Sequence, residues 1–130
     1  MDQKHVLIVE DEFIVAVDLR GTLERRGFSV AGIINTGIGA VEFIRKNGKA
    51  DCILMDVSLK GEITGIEAAA EIHKECPVPV IFLTAHNTLP GVQAGIQEPL
   101  CRLVAKPFDE QELIRVIETL IQETRSECYE

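Results

Sequence analysis

Short apolar runs alternate with longer amphipathic stretches from one end of the chain to the other. The apolar runs are rich in Val, Ile and Leu, and three of them are nearly continuous, which is typical of strands buried on both faces of a parallel sheet. Strands that alternate with helix-length segments predict repeated βα units around such a sheet. The five predicted strands are His5–Val9, Phe28–Ile33, Cys52–Met55, Val80–Leu83 and Arg102–Ala105.

Capping residues and apolar periodicity indicate where the intervening helices begin and end. The last helix begins with a capping-box-like pair, Asp109 and Glu112, followed by apolar positions at helical spacing. The segment Asn87–Leu100 contains two prolines and two glycines, so we expect a short or mobile fourth helix there. The other predicted helices cover Glu12–Arg26, Thr36–Asn47 and Thr64–Glu75.

Composition narrows the class of protein. The 130 residues suffice for one domain, and we expect a single domain over residues 1–130, with a core at about 5–124 and a tail at 125–130. A net charge of −8 without a basic stripe argues against direct nucleic-acid binding. No apolar run is long enough to cross a membrane and no secretion signal is visible, so we expect a cytoplasmic protein. The four cysteines lack metal-binding spacing, which indicates reduced thiols.

Polar residues follow the apolar runs at the carboxyl ends of four predicted strands. Glu10-Asp11-Glu12 follows the first, Asp56 the third, Thr84 the fourth and Lys106 the fifth. Each alone is more simply explained as a helix cap, a turn former or a solvated charge. Because the carboxyl ends of parallel strands meet at one edge of the sheet, together they predict a single pocket. Clustered carboxylates call for a neutralising cation, and a lysine with a hydroxyl beside them suits phosphoryl oxygens.

Four segments carry a resemblance to a known family. They are Val9-Glu10-Asp11-Glu12, Leu54-Met55-Asp56-Val57 with Gly61 and Gly65-Ile66-Glu67-Ala68, Leu83-Thr84-Ala85, and Ala105-Lys106-Pro107-Phe108. In this order and at this spacing they resemble the receiver domain of bacterial and archaeal response regulators, over about residues 5–124. The resemblance implies the flavodoxin-like α/β receiver fold, a doubly wound sheet of five parallel strands in the order 2-1-3-4-5.

The resemblance also implies a phosphoacceptor site. Asp56 would take a phosphoryl group from a sensor histidine kinase or a phosphotransfer protein and become an aspartyl phosphate. The reaction would require Mg2+ or Mn2+, bound by Asp11, Asp56 and the backbone carbonyl of Ser58, with Glu10 acting through a metal-bound water. Such a domain is a signalling switch that catalyses only its own phosphorylation and dephosphorylation, and is not an enzyme with a separate substrate.

The same resemblance implies roles for residues around the phosphoryl group. Lys106 would pair with the phosphoryl oxygens, Thr84 would turn its hydroxyl toward them, and Ala85 is small enough to leave access. The peptide bond between Lys106 and Pro107 is predicted to be cis, as is usual in the family.

Three features bear on how the switch would work. Leu103 stands where many receivers carry an aromatic residue that relays the phosphorylated state, which leaves the relay open. Ser58 and His86 occupy positions that flank the path of the hydrolytic water and would tune the phosphoryl lifetime, although an exposed loop histidine is the simpler explanation of His86. The segment Asn87–Leu100 would be the moving part, because the added charge can order or displace a marginal segment.

Two other functions compete with the signalling switch. A phosphatase of the haloacid-dehalogenase kind also uses an Asp nucleophile, but it carries Asp-x-Asp after its first strand, whereas Asp56 follows the third and position 58 is Ser. A pseudo-receiver scaffold would usually have lost the acidic pair, the Asp or the Lys, and this chain keeps them all. The sequence leaves open the cognate kinase, the output partner or missing effector domain, and whether the domain forms homodimers.

Overall fold

The computed structural model of the protein describes residues 3–47, 50–85 and 100–128. Within these ranges the chain forms five strands and four helices. The strands are β1 (His5–Val9), β2 (Ser29–Ile34), β3 (Cys52–Asp56), β4 (Val80–Ala85) and β5 (Cys101–Lys106), and the helices are α1 (Phe13–Arg25), α2 (Gly37–Asn47), α3 (Gly65–His73) and α4 (Glu110–Cys128). Apart from Leu100, the segment of the predicted fourth helix lies outside the described residues, so α4 corresponds to the fifth predicted helix.

The strands form one parallel sheet in the order β2-β1-β3-β4-β5. The predicted fold class, a doubly wound α/β domain, is therefore confirmed. Val9 pairs with Met55 and Thr84 pairs with Ala105, so the carboxyl ends of neighbouring strands stay level. The residues that end or follow the strands consequently lie along one edge of the sheet.

The core forms two layers, one on each face of the sheet. The central strands β1, β3 and β4 are almost wholly buried, as predicted for strands covered on both faces. Under α1 and α4 the layer contains Ala16, Leu19 and Leu23 packed with Leu113 and Ile117, and α2 and α3 cover the opposite layer. Each large apolar side chain removed from water contributes roughly 1.5–3 kcal/mol to folding. This burial holds the strand ends, and the side chains that follow them, in fixed positions.

Helix ends differ from the prediction by a few residues, for local reasons. The Asp109 carboxylate accepts a hydrogen bond from the Glu112 N–H at 3.3 Å, which confirms the predicted cap of α4. A complete capping box lies instead at α3, where Thr64 and Glu67 each accept a hydrogen bond from the other's backbone N–H. Helix α4 continues to Cys128, into the predicted tail.

Two expectations from composition can be compared with the described residues. Cys52 and Cys76 are free thiols, and burial raises the pKa of both, so they stay protonated and act as small apolar residues. Among the helices in the described ranges, none combines the length and apolar character needed to cross a bilayer.

Candidate functional site

Three carboxylates gather where β1 and β3 end side by side. Glu10 and Asp11 follow β1, and Asp56 is the last residue of β3. One carboxylate oxygen from each lies within 4.8 Å of the others. Glu10 and Asp56 are only 2% and 5% exposed, whereas Asp11 is partly exposed. The predicted convergence of the first and third strand ends is therefore observed, and the cluster opens to solvent on the Asp11 side.

Backbone amides hold one oxygen of each of the two buried carboxylates. The Glu12 N–H donates to Glu10 Oε2 at 3.1 Å, and the Ser58 N–H donates to Asp56 Oδ1 at 2.9 Å. The other oxygens, Glu10 Oε1 and Asp56 Oδ2, lie 3.6 Å and 3.8 Å from the ammonium nitrogen of Lys106. Each buried carboxylate thus has one oxygen held by the backbone and a second oxygen beside a cation.

Lys106 is the positive charge of this cluster. Its side chain is 30% exposed and reaches Glu10 and Asp56 from the end of β5. Three carboxylates beside one ammonium group leave an excess of two negative charges when all are ionised. Like charges at this distance disfavour full ionisation unless a cation is added. The charge balance therefore favours a divalent cation.

The pKa of Glu10 is raised by its place in this cluster. Burial raises its pKa from 4.5 to about 7, opposed by the Glu12 N–H hydrogen bond and reinforced by the negative charge of Asp56. Its Oε1 is buried and accepts no hydrogen bond. A buried acceptor without a donor is costly, so this oxygen is a place where a water or a cation-bound ligand would be stabilised.

The raised pKa predicts a pH-dependent difference in stability for Glu10→Gln without metal. Because the pKa of Glu10 is higher in the folded state than in the unfolded state, Glu10 contributes fully to the free energy of unfolding below pH 4.5. This contribution is lost as the pH rises through about 7. Glutamine stays neutral, so in EDTA the stability of Glu10→Gln relative to the wild type should rise between pH 5 and pH 8, by up to about 3 kcal/mol. Urea unfolding at both pH values measures this. The exposed control Glu118→Gln should show no such rise, and a pH-independent difference for Glu10→Gln would contradict the prediction.

Thr84 and Ala85 end β4 beside the Lys106 strand. Thr84 is fully buried, its Oγ1 lies 3.4 Å from the Ala85 carbonyl oxygen, and Ala85 is exposed and pairs with Lys106. The Lys106–Pro107 bond is cis, as predicted. The structure therefore places these residues at the same edge as the carboxylates, while their roles toward a phosphoryl group stay predictions.

The remaining predicted positions are spread around the cluster. Ser58 is exposed and touches the site through its backbone N–H. Leu103 is partly buried in β5, pairs with Phe82 and packs against the core layer under α2 and α3. His86 lies outside the described residues.

Two contacts, one from the loop between β3 and α3 and one from the first residue of α3, were missed by the sequence reasoning. The Lys60 N–H donates to Asp11 Oδ2 at 3.2 Å, joining this loop to the site. Gly65 lies against the main chain of Asp56, because a Cβ placed there would collide with the Asp56 carbonyl oxygen and lie 2.9 Å from Met55 Cγ. The glycine is part of the quoted family motif and could have been suspected. No sequence pattern predicts that a backbone N–H, such as that of Lys60, will donate a hydrogen bond to a distant side chain.

The fold and the cluster define a class of protein, a doubly wound α/β domain with its binding site at the carboxyl edge of the sheet. The family model described as "Response regulator receiver domain" matches residues 6–118, and the chain belongs to this family. It is a receiver domain of the two-component response-regulator type.

Several known proteins are similar to the chain. It is 35% identical over 112 residues to the phyllosphere-induced regulator PhyR of Methylorubrum extorquens, which covers 86% of this chain and 41% of that protein. It is 32% identical to the transcriptional regulatory protein PdtaR of Mycobacterium tuberculosis, with 94% of this chain and 58% of that protein covered. The solved signal receiver domain of a modulated diguanylate cyclase from Desulfovibrio desulfuricans G20 matches with a TM-score of 0.83 at 32% identity, covering 97% and 99%. The chain spans about half the length of the curated relatives it matches.

Proposed function

We propose that this receiver domain is a phosphorylated switch of a two-component phosphorelay, in which Asp56 accepts a phosphoryl group from a histidine kinase or a phosphotransfer protein. The observation that carries the proposal is the setting of Asp56. Its carboxylate is 5% exposed, has one oxygen fixed by a backbone N–H and has the other 3.8 Å from the Lys106 ammonium. A nucleophile held in this way is oriented before the donor arrives.

The residues present fit Mg2+ or Mn2+. Such cations prefer hard oxygen ligands and keep several waters, and the cluster offers three carboxylates with an excess of negative charge and a buried oxygen that accepts no hydrogen bond. Asp11, Asp56 and the backbone carbonyl of Ser58 would bind the ion, and Glu10 would act through a bound water. When bound, the ion neutralises charge on the phosphoryl oxygens and orients them.

The chain's own residues would carry the transfer. The Asp56 oxygen that is not held by Ser58 attacks the phosphorus of a phosphohistidine, the P–N bond breaks, and the imidazole nitrogen keeps the electron pair. The product is an acyl phosphate on Asp56. Lys106 pairs with the phosphoryl oxygens, the Thr84 hydroxyl donates to one of them, and Ala85 leaves room beside them. Electrostatic stabilisation and positioning supply the rate enhancement.

An apolar patch on the first turns of α1 offers a contact for the phosphodonor. Phe13 and Ile14 are 75% and 82% exposed, Val17 is 44% exposed, and all three follow closely on Asp11. Exposed apolar residues beside a polar site are typical of protein-binding surfaces. The domain would thus act as a switch read by protein partners, and would catalyse only its own phosphorylation and dephosphorylation, at a rate tuned by Ser58 and His86.

Phosphodonor labelling tests this function. The wild type is incubated with acetyl phosphate and Mg2+, and its intact mass is measured with and without EDTA. We expect the mass to increase by one phosphoryl group only when Mg2+ is present, and hydroxylamine to remove the group as it does from acyl phosphates. Continuous hydrolysis of an added phosphomonoester would favour the phosphatase alternative. Absence of both reactions would favour a scaffold and contradict the proposal.

Removing the carboxylate of Asp11 should weaken Mg2+ binding. Asp11→Asn keeps the shape of the side chain but removes one negative charge from the three-carboxylate cluster. We expect the Mg2+ dissociation constant to increase on the order of tenfold or more, measured by calorimetry without a phosphodonor. Asp18→Asn, an exposed change on α1, is the matched control. Equal affinities in the two variants would show that Asp11 is not a ligand.

A further inference from the structure

The loop between β3 and α3, residues 57–64, is tied to the far side of the site by one hydrogen bond. The backbone N–H of Lys60 donates to Asp11 Oδ2 at 3.2 Å, across 49 positions of sequence. Asp11 is the partly exposed member of the cluster, whereas Glu10 and Asp56 are buried. The hydrogen bond from Lys60 constrains the orientation of the Asp11 carboxylate.

The loop itself is held firmly enough to present this N–H in a fixed place. At its start the Ser58 N–H is bound to Asp56, and in its middle Leu59 is only 7% exposed. At its end the capping box of Thr64 fixes the first turn of α3. Between these points Gly61 has a φ of +124°, a conformation that residues with a side chain rarely adopt. The position of the Lys60 N–H is thus set by anchors on both sides.

We propose that the backbone N–H of Lys60 is a positioning group, which fixes the Asp11 carboxylate so that its second oxygen is presented to a divalent cation. The inference rests on the proposed function for the identity of the cation. A neutral backbone amide orients the carboxylate and leaves its negative charge in place. A side-chain ammonium group would cancel that charge. Hydrogen bonds that orient metal-binding carboxylates are commonly worth tenfold to a hundredfold in metal affinity.

A pair of substitutions at one position separates the N–H from the side chain. Lys60→Pro removes the backbone donor, whereas Lys60→Ala keeps it and removes only the exposed side chain. With Mg2+ alone as the probe, in calorimetry without phosphodonor, we expect Lys60→Pro to weaken binding about tenfold and Lys60→Ala to bind like the wild type. Thermal unfolding in EDTA checks that both variants are folded.

Two further comparisons keep the test decisive if proline distorts the loop. Gly61→Ala and Gly27→Ala replace two glycines that both have positive φ and open space around the missing Cβ, but only Gly61 lies in this loop. We expect Gly61→Ala to bind Mg2+ more weakly than the wild type and Gly27→Ala to bind it equally well. In an Asp11→Asn background, Lys60→Pro should cause no further loss, because the two groups then act as one unit.

The outcomes distinguish this inference from the proposed function. If the wild type binds Mg2+ and both Lys60→Pro and Gly61→Ala bind it with the same affinity, the inference is overturned. The phosphoacceptor proposal would then still stand. An additive loss in the double variant would also overturn it, because Lys60 would then act independently of Asp11. Absence of Mg2+ binding by the wild type would overturn both.

Discussion

The Asp56→Asn variant should take up no phosphoryl group from acetyl phosphate under conditions where the wild type is labelled to a measurable extent. The amide nitrogen of asparagine is not a nucleophile, and the change removes a carboxylate that is buried, fixed by a backbone N–H and adjacent to Lys106. Asparagine has nearly the same shape, so the fold should persist. Loss of a buried charge near Glu10 should, if anything, ease the repulsion within the cluster.

The intact mass of each protein after incubation with acetyl phosphate shows whether it has gained a phosphoryl group. Circular dichroism verifies that Asp56→Asn is folded. Asp18→Asn, on the exposed face of α1, changes the same residue types far from the cluster and should be labelled like the wild type. A labelled Asp56→Asn protein would place the acceptor elsewhere. Asp11, the neighbouring carboxylate, would then be the first residue to test.

The sheet could be predicted from sequence because each central strand is an uninterrupted apolar run. The buried strands β1, β3 and β4 begin and end where the pattern changes, within one or two residues. The order of the strands in the sheet was predicted from the family resemblance, because the periodicity of apolar residues does not determine it. The structure confirms it through the pairing of β1 with both β2 and β3.

The site could be predicted as far as it is made of strand ends. Glu10, Asp11, Asp56 and Lys106 meet because parallel strands bring their carboxyl ends to one edge, and this rule needs only the strand assignments. What could not be predicted comes from the loop between β3 and α3. The contact between Lys60 and Asp11 joins a backbone atom to a side chain through a turn whose path depends on packing. The Thr64 capping box did have a sequence signature, Thr-x-x-Glu, and was overlooked.

Gly65 connects the fold to the site, since it marks where α3 comes into contact with the end of β3. It is the first residue of α3, it is buried, and the missing Cβ would point at the carbonyl group of Asp56. The first turn of α3 can therefore approach the end of β3 only when no side chain intervenes. A substitution at Gly65 acts on the main chain of Asp56 itself, so stability and function should change together.

Gly65→Ala should lower the free energy of unfolding by about 1–3 kcal/mol and slow the labelling of Asp56, because the Asp56 main chain or α3 must shift to admit the methyl group. Gly21→Ala is the matched control within the same protein. Gly21 lies inside α1, where the added Cβ meets only the guanidinium end of the Arg25 side chain at 3.3 Å, so alanine should raise stability by about 0.5–1 kcal/mol and leave labelling unchanged. Urea unfolding and the initial rate of acetyl phosphate labelling measure the two effects. If Gly65→Ala raised stability as Gly21→Ala does, helix propensity and not contact with Asp56 would explain Gly65, and the coupling of α3 to Asp56 would be wrong.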